Sequence, residues 1–252
     1  MWRHPDPLVC IGVAPHSVRA VPRPWLKELR DFDGPIHAHV AEQPAEVAAC
    51  RERWGMSPLQ IFAQAGLVDH RFTAVHMTHP DPSDAELLRQ SRAGICACPT
   101  TEMDLGDGLL PLELREDISL CVGSDSHARI DLLAEARALE WHARALAGHR
   151  NVMAPNAERH RLGRAALSAR LMRAATLDGS VALGASGQGL GPGQPADVCA
   201  IDLSRRAAHG VPPLEAAIFN SSPDWVTDVW VQGQRRVHSG ELVDGLEDES
   251  VD

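Results

Sequence analysis

The sequence predicts an α/β fold built on parallel strands, and three observations predict it. Short apolar runs alternate with helical stretches through the first two thirds of the chain, the strand–helix–strand rhythm of a parallel sheet. Three of those runs end in histidine or aspartate, at His39, His76 and Asp125, as strands do that deliver ligands to one mouth of a parallel barrel. Past Gly184 the rhythm stops, and a glycine-rich link leads into short β segments. The chain therefore divides into a main domain over residues 1–184, a smaller β segment over 185–246 and an acidic tail over 247–252.

Leu8–Ala14 is the first buried strand expected, ending at Pro15, and Pro24–Phe32 reads as a short helix with Pro24 near its first turn. Pro35–Gln43 is the organising stretch: an alternating run that puts His37, His39 and Ala41 on one strand face. Helices are expected over Pro44–Trp54 and Ser57–Ala65, the second closed by Gly66. The His76 strand comes next, then a helix over Ser83–Ala93 with Ser83 as N-cap and Glu86 at capping-box spacing. Gly94–Cys98 is a further buried strand, running into Pro99–Glu102, with a turn-rich loop at Asp104–Gly108 through Gly106 and Gly108. Those glycines mark a turn and not a phosphate cradle, because no GxGxxG or Walker pattern surrounds them. The last strand of the series is expected at 118–123, with helices over Asp131–Ala147 and Arg164–Leu177. Beyond the link, Asp197–Ile201 and Val226–Gln232 read as strands, and Arg235–His238 returns from the second as a hairpin around Gly233. The tail from Glu247 to Asp252 is expected to be disordered.

Composition excludes several classes. A formal net charge of −10 over 252 residues argues against a nucleic-acid or anionic-membrane surface. No apolar run reaches the length of a membrane span, and proline and charge interrupt the N-terminal residues where a signal peptide needs an apolar core. Six cysteines in apolar contexts fit reduced core thiols of a cytoplasmic protein. Cys96 and Cys98 share a strand face within reach of a metal, but their buried strand context favours a core role.

His39 and Asp125 are the metal-ligand candidates, since imidazole and carboxylate at strand ends suit Zn²⁺ or Fe²⁺. Glu42, three residues past His39, is placed to carry a proton between the hydrolytic water and a leaving group. His76 reads either as a further ligand or as a base that polarises the water, and His79 as a ligand or a loop residue. His37 reads as a packing residue beneath the site, and Ser126 and His127 as residues that orient Asp125. His16 and Arg19, after the first strand, offer a hydrogen bond and a bidentate fork for a substrate carboxylate.

These residues resemble the amidohydrolase superfamily, metal-dependent hydrolases on a (β/α)8 barrel with a small β-sandwich. More narrowly, they resemble the bacterial formimidoylglutamate deiminases of histidine degradation. The carrying motifs are Gly12–Val21 (GVAPHSVRAV), His37–Gln43 (HAHVAEQ), Val75–His79, Cys98–Glu102 with Leu105–Gly108, and Gly123–His127. The stretches Ala174–Gly184 and Gly191–Val198 match more loosely, in a pattern shared across the superfamily. The resemblance implies that His39 and Asp125 hold one zinc-like ion, that Glu42, His76 and Asp125 do the catalytic work, and that His16 and Arg19 hold a glutamate carboxylate. Water would attack the formimino carbon of N-formimino-L-glutamate, and collapse of the tetrahedral intermediate would release ammonia and N-formyl-L-glutamate. Two alternatives stand beside it: an aminohydrolase acting on a purine, pyrimidine or triazine ring, and a non-catalytic remnant. Arg19 separates the first two, because a ring substrate needs no carboxylate clamp.

The chain departs from the family pattern at Met103 and Asp104, where a small residue and an amide are usual. It also lacks the His-x-His that the superfamily places on its first barrel strand, since no such stretch precedes residue 37. A whole barrel takes about 250 residues, so the resemblance implies a partial (β/α)8 TIM-type barrel, about strands 4 to 8, followed by part of a β-sandwich. The expectation is a C-terminal piece that is inactive alone and that pairs as a homodimer or with a complementary N-terminal piece.

Overall fold

In the computed structural model, residues 9–163, 165–185 and 189–243 are described. The start of the chain through Leu8, Arg164, link residues 186–188 and residues 244–252, with the acidic tail expected to be disordered, lie outside them. The chain resolves into two units, Met1–Ser186 and Gly187–Asp252.

In the first unit, α1 (Arg23–Glu28) carries Pro24 in its first turn and buries Leu26. It leads to β1 (Ile36–Val40), whose pleat buries Ile36, Ala38 and Val40 and leaves His37 and His39 half-buried on the other face. The alternation stops there: Ala41 has φ 51° and is buried, so it does not extend the histidine face. The strand expected at Leu8–Ala14 is reduced to one parallel bridge between Val13 and Ile36. Pro15 has no N–H to continue a ladder, and pairing resumes only where His39 N donates to His16 O at 2.8 Å.

Pro44 sits at the start of α2 (Pro44–Trp54), which Gly55 closes in the left-handed conformation. Ser57 caps α3 (Pro58–Gln64) through a reciprocal capping box with Gln60. β2 (Phe72–His76) follows, then α4 (Asp84–Ser91). The capping box expected between Ser83 and Glu86 does not form. Ser83 already has helical dihedrals and its hydroxyl turns back to Asp81, while Asp84 takes the Asp81 N–H at 2.8 Å. β3 (Gly94–Ala97) runs straight into α5 (Pro99–Leu105), a helix not expected from the sequence, which placed only a turn-rich loop at Asp104–Gly108. Proline at the first helical position starts that helix, and nothing breaks it until Gly106 caps it with φ 71°.

β4 (Ser119–Val122) completes a four-stranded parallel sheet in the order β1-β2-β3-β4. Asp131 then caps α6 (Leu132–Ala147) by accepting the Leu133 and Ala134 N–H groups. After α7 (Asn156–Leu162), the helix expected over 164–177 divides at Thr176 into α8 (Ala165–Ala175) and α9 (Leu177–Ala182). Phe62, Phe72, Ile36, Leu59, Ile95 and Leu120 are fully buried in the core of this unit. Each such side chain contributes about 1.5–3 kcal/mol.

In the second unit, β5 (Val198–Ile201) pairs with β6 (Val226–Val231) after α10 (Pro213–Phe219), a helix the sequence reading passed over. β6 and β7 (Gln234–His238) form the expected hairpin, and β8 (Glu241–Leu242) joins the antiparallel sheet. Its core gathers Trp225, Ala208 and Ala216 with Ile201, Leu203 and Val211. Among the described residues no helix is long and apolar enough to cross a membrane.

Candidate metal centre

The C-terminal ends of β1, β2 and β4 converge on one site. His39, next to last in β1, donates both its backbone N–H (2.8 Å) and its ring Nδ1 (2.9 Å) to the carbonyl of His16. A carbonyl can only accept, so Nδ1 carries the proton and Nε2 presents a lone pair. That Nε2 lies 3.8 Å from Asp125 Oδ1.

His76 ends β2 and is fully buried, with φ 76°, and Met77 after it has φ 56°. Two successive non-glycine residues in this region carry backbone strain of about 1–3 kcal/mol each, and the turn they make aims the imidazole into the site. Its Nδ1 is 3.4 Å from Glu102 Oε1, while its buried Nε2 has no hydrogen-bond partner and sits 3.8 Å from Glu42 Oε1. Burial by itself would lower the His76 pKa, but the Glu102 carboxylate, with Glu42 and Asp125 beyond it, raises it above the ordinary value.

Asp125 follows β4 with φ 43°. Thr101 on α5 clasps the chain on both sides of it. The Thr101 hydroxyl accepts the Ser126 N–H (3.2 Å), lies 3.0 Å from Ser126 Oγ and approaches the Ser124 carbonyl (3.4 Å). Thr101, a residue the sequence reading passed over, thus holds Ser126 next to Asp125.

Glu42 lies between the histidines and Arg19. Its Oε2 is 2.7 Å from Arg19 Nη2, and its backbone N–H donates to Glu46 Oε2 at 3.1 Å. Arg19 also reaches Gln43 Oε1 at 3.4 Å and Glu46 at 3.8 Å. The residue read as a clamp for substrate carboxylate therefore rests on carboxylates of the chain itself. Burial pushes the Glu46 pKa up, with Arg19 pulling the other way. His16 hydrogen-bonds Ser17 Oγ at 3.1 Å and sets its ring 4.6 Å from that of His39.

The remaining candidates lie outside this group. His37 Nε2 donates to the Ala182 carbonyl at 2.7 Å, tying β1 to α9 as a packing residue. The His79 ring bonds the carbonyl of Asp107, which makes it a loop brace. Burial and neighbouring thiols and carboxylates hold the Cys96 and Cys98 thiols in their protonated, inert form. Sequence reasoning missed Glu102, Glu46 and Thr101, since a carboxylate or hydroxyl on a helix looks like surface until its burial is known. The spacing Cys98-Pro-x-x-Glu102 was the available signal.

Among the described residues, one donor from each of His39, His76 and Asp125 falls within 4.8 Å of the others. Two imidazoles and a carboxylate, one imidazole nitrogen being buried and unpartnered, fit a divalent cation such as Zn²⁺ or Fe²⁺. Each histidine has its other nitrogen held by an oxygen, as metal-binding histidines do.

A parallel α/β sheet with such a donor cluster at its strand ends defines a candidate metallohydrolase. The chain belongs to the amidohydrolase family, whose model matches residues 2–236. It is 32% identical over 238 residues to formimidoylglutamate deiminase of Pseudomonas aeruginosa, covering 91% of this chain and 51% of that protein. It is 29% identical over 251 residues to 5-methylthioadenosine/S-adenosylhomocysteine deaminase of Teredinibacter turnerae, covering 94% and 53%. The crystal structure of an adenosine deaminase from Xanthomonas campestris with bound zinc superposes with a TM-score of 0.83 at 27% identity, over 96% of this chain and 55% of that one. The chain thus spans about half the length of these relatives.

Proposed function

We propose that this site is the hydrolytic centre of a deiminase that releases ammonia from N-formimino-L-glutamate and yields N-formyl-L-glutamate. The observation that carries the reading is the convergence of His39, His76 and Asp125 donors within 4.8 Å, with the Glu42 carboxylate beside them. His39, His76 and Asp125 would hold one divalent ion, zinc first and iron(II) as the alternative. Such an ion supplies Lewis acidity and lowers the pKa of a water molecule. Glu42 takes a proton from the attacking water and returns it to the departing nitrogen, a role its place beside His76 Nε2 supports. His76 would be held as a donor with its Nδ1 proton on Glu102. Asp125, the second catalytic carboxylate, would take the other proton of that water as the C–N bond breaks and pass it to the same nitrogen, so that both water protons leave with the ammonia. Arg19, with His16 beside it, turns from Glu42 to a substrate carboxylate, which would leave Glu42 free for proton transfer.

In this reading the Val13 bridge and β1–β4 are the later strands of a (β/α)8 barrel, about the fourth to the eighth, with residues 1–184 as the barrel part. Residues 185–246 belong to a β-sandwich, and the short acidic segment 247–252 is a tail. The active species is completed by a complementary N-terminal piece or in a homodimer.

A second reading, deamination of an aminopurine, is favoured by the names of the Teredinibacter and Xanthomonas relatives. Ammonia release is to be compared for N-formimino-L-glutamate and an aminopurine nucleoside, with zinc-loaded chain alone and mixed with barrel strands from a relative. Formimino turnover that depends on Arg19 supports the proposal, and faster turnover of the ring substrate overturns it. Full turnover by the chain alone would overturn the need for a second piece.

A further inference from the structure

We infer that Glu102 is a positioning residue that sets the tautomer and aim of His76, and so the donor geometry of the metal centre. The inference deepens the reading of His39, His76 and Asp125 as an ion site and rests on it.

Glu102 is 1% exposed on α5. Its Oε1 does two things at once: it accepts the Cys98 N–H at 2.8 Å and lies 3.4 Å from His76 Nδ1. Its Oε2 is buried with no hydrogen-bond partner. A buried carboxylate is a costly way to cap one backbone N–H, a task a neutral amide or hydroxyl does as well. Among the described residues, the His76 imidazole is the one basic side chain within 4 Å of it, so its second task is to face Nδ1.

His76 needs such a brace. With φ 76° it has left the regular strand, so the pleat no longer dictates where its side chain points. A carboxylate oxygen facing Nδ1 demands the proton on Nδ1 and leaves the Nε2 lone pair free for the cluster that His76 shares with His39 and Asp125. The same α5 carries Thr101, which clasps the Asp125 loop, so one short helix braces two of the three donors.

The test uses ¹⁵N-labelled chain, metal-free and then titrated with zinc against a competing chelator, for wild type, Glu102→Gln and Glu102→Leu. Thermal denaturation first checks that each variant is folded. We expect the Nδ1–H tautomer of His76 in the metal-free wild type, retained in Glu102→Gln, which keeps an acceptor, and lost in Glu102→Leu. Loss of such an outer partner weakens metal affinity by about 10–100-fold, and Glu102→Gln should recover most of that loss. A wild type with Nε2–H on His76, or a folded Glu102→Leu with unchanged tautomer or zinc affinity, overturns the inference. If Glu102→Leu does not fold, the tautomer of the wild type and of Glu102→Gln decides. A correct tautomer pattern in a chain that binds no zinc would instead refute the metal-site reading and leave the Glu102–His76 brace standing.

Discussion

Replacing Thr101 with valine tests how the Asp125 donor is held. The side chain is 1% exposed, and its hydroxyl has polar neighbours at 3.0, 3.2 and 3.4 Å, all on residues 124 and 126. Its oxygen takes the Ser126 N–H and shares a proton with Ser126 Oγ in either direction, while the 3.4 Å contact to Ser124 O is the weakest of the three. Two good bonds are therefore at stake, at about 0.5–1.5 kcal/mol each. Valine keeps the volume and removes both, a loss of roughly 1–3 kcal/mol from the order of the loop. If that energy is spent re-forming the loop on metal binding, zinc affinity falls by about 5- to 150-fold, at tenfold per 1.4 kcal/mol. Zinc titration against a chelator measures it, with Thr101→Ser as the control that keeps the hydroxyl. A folded Thr101→Val chain that binds zinc within twofold of wild type, as judged against the tenfold scale, would refute the reasoning.

Three further outcomes are expected. Zinc should raise the melting temperature of the wild type, reversibly with chelator, and Asp125→Asn should lose most of that rise, because ligand binding stabilises only a state that holds the site. Glu140→Ala should cost about 2–5 kcal/mol in urea denaturation, since the fully buried carboxylate accepts the Val152 (3.2 Å) and Met153 (2.8 Å) N–H groups and pairs with Arg144 at 2.6 Å. Burial holds the His142 pKa below the ordinary 6.5, with Glu102 opposing, and its Nε2 has no hydrogen-bond partner. The unfolded chain then takes up that proton first, so the His142 contribution is full above 6.5 and is lost as pH falls through that value towards the native pKa. His142→Phe should flatten this acid limb in urea midpoints measured across pH, and an unchanged slope would show that His142 does not produce it.

How far the site could be read in advance depended on the range of the interaction. His39, His76 and Asp125 were legible because each closes an apolar run, and strand period and parallel topology bring such ends together. Boundaries such as Pro44–Trp54 were legible for a local reason, a proline at the first turn and a glycine just past the end. The failures were local rules outweighed by neighbours. Ser83 looked like a capping-box residue, but Asp84 and Asp81 satisfied those groups instead. The Leu8–Ala14 run looked like a strand, but Pro15 limited the described part to a single bridge.

The sequence by itself determined the α/β class, the order of most elements, the family and which strand ends carry imidazole and carboxylate. These follow from periodicity, from breakers and from residue types a few positions apart. Only the tertiary structure decided that a His76 donor falls within 4.8 Å of those of His39 and Asp125, that Arg19 rests on Glu42, and that Glu102 and Thr101 stand behind the site. The Arg19–Glu42, His76–Glu102 and Thr101–Ser126 pairings join residues 23 to 26 positions apart, and the donor cluster joins strand ends farther apart still, through burial and a turn at φ 76°. Neither burial nor the aim of a side chain that has left its strand is written in a local pattern.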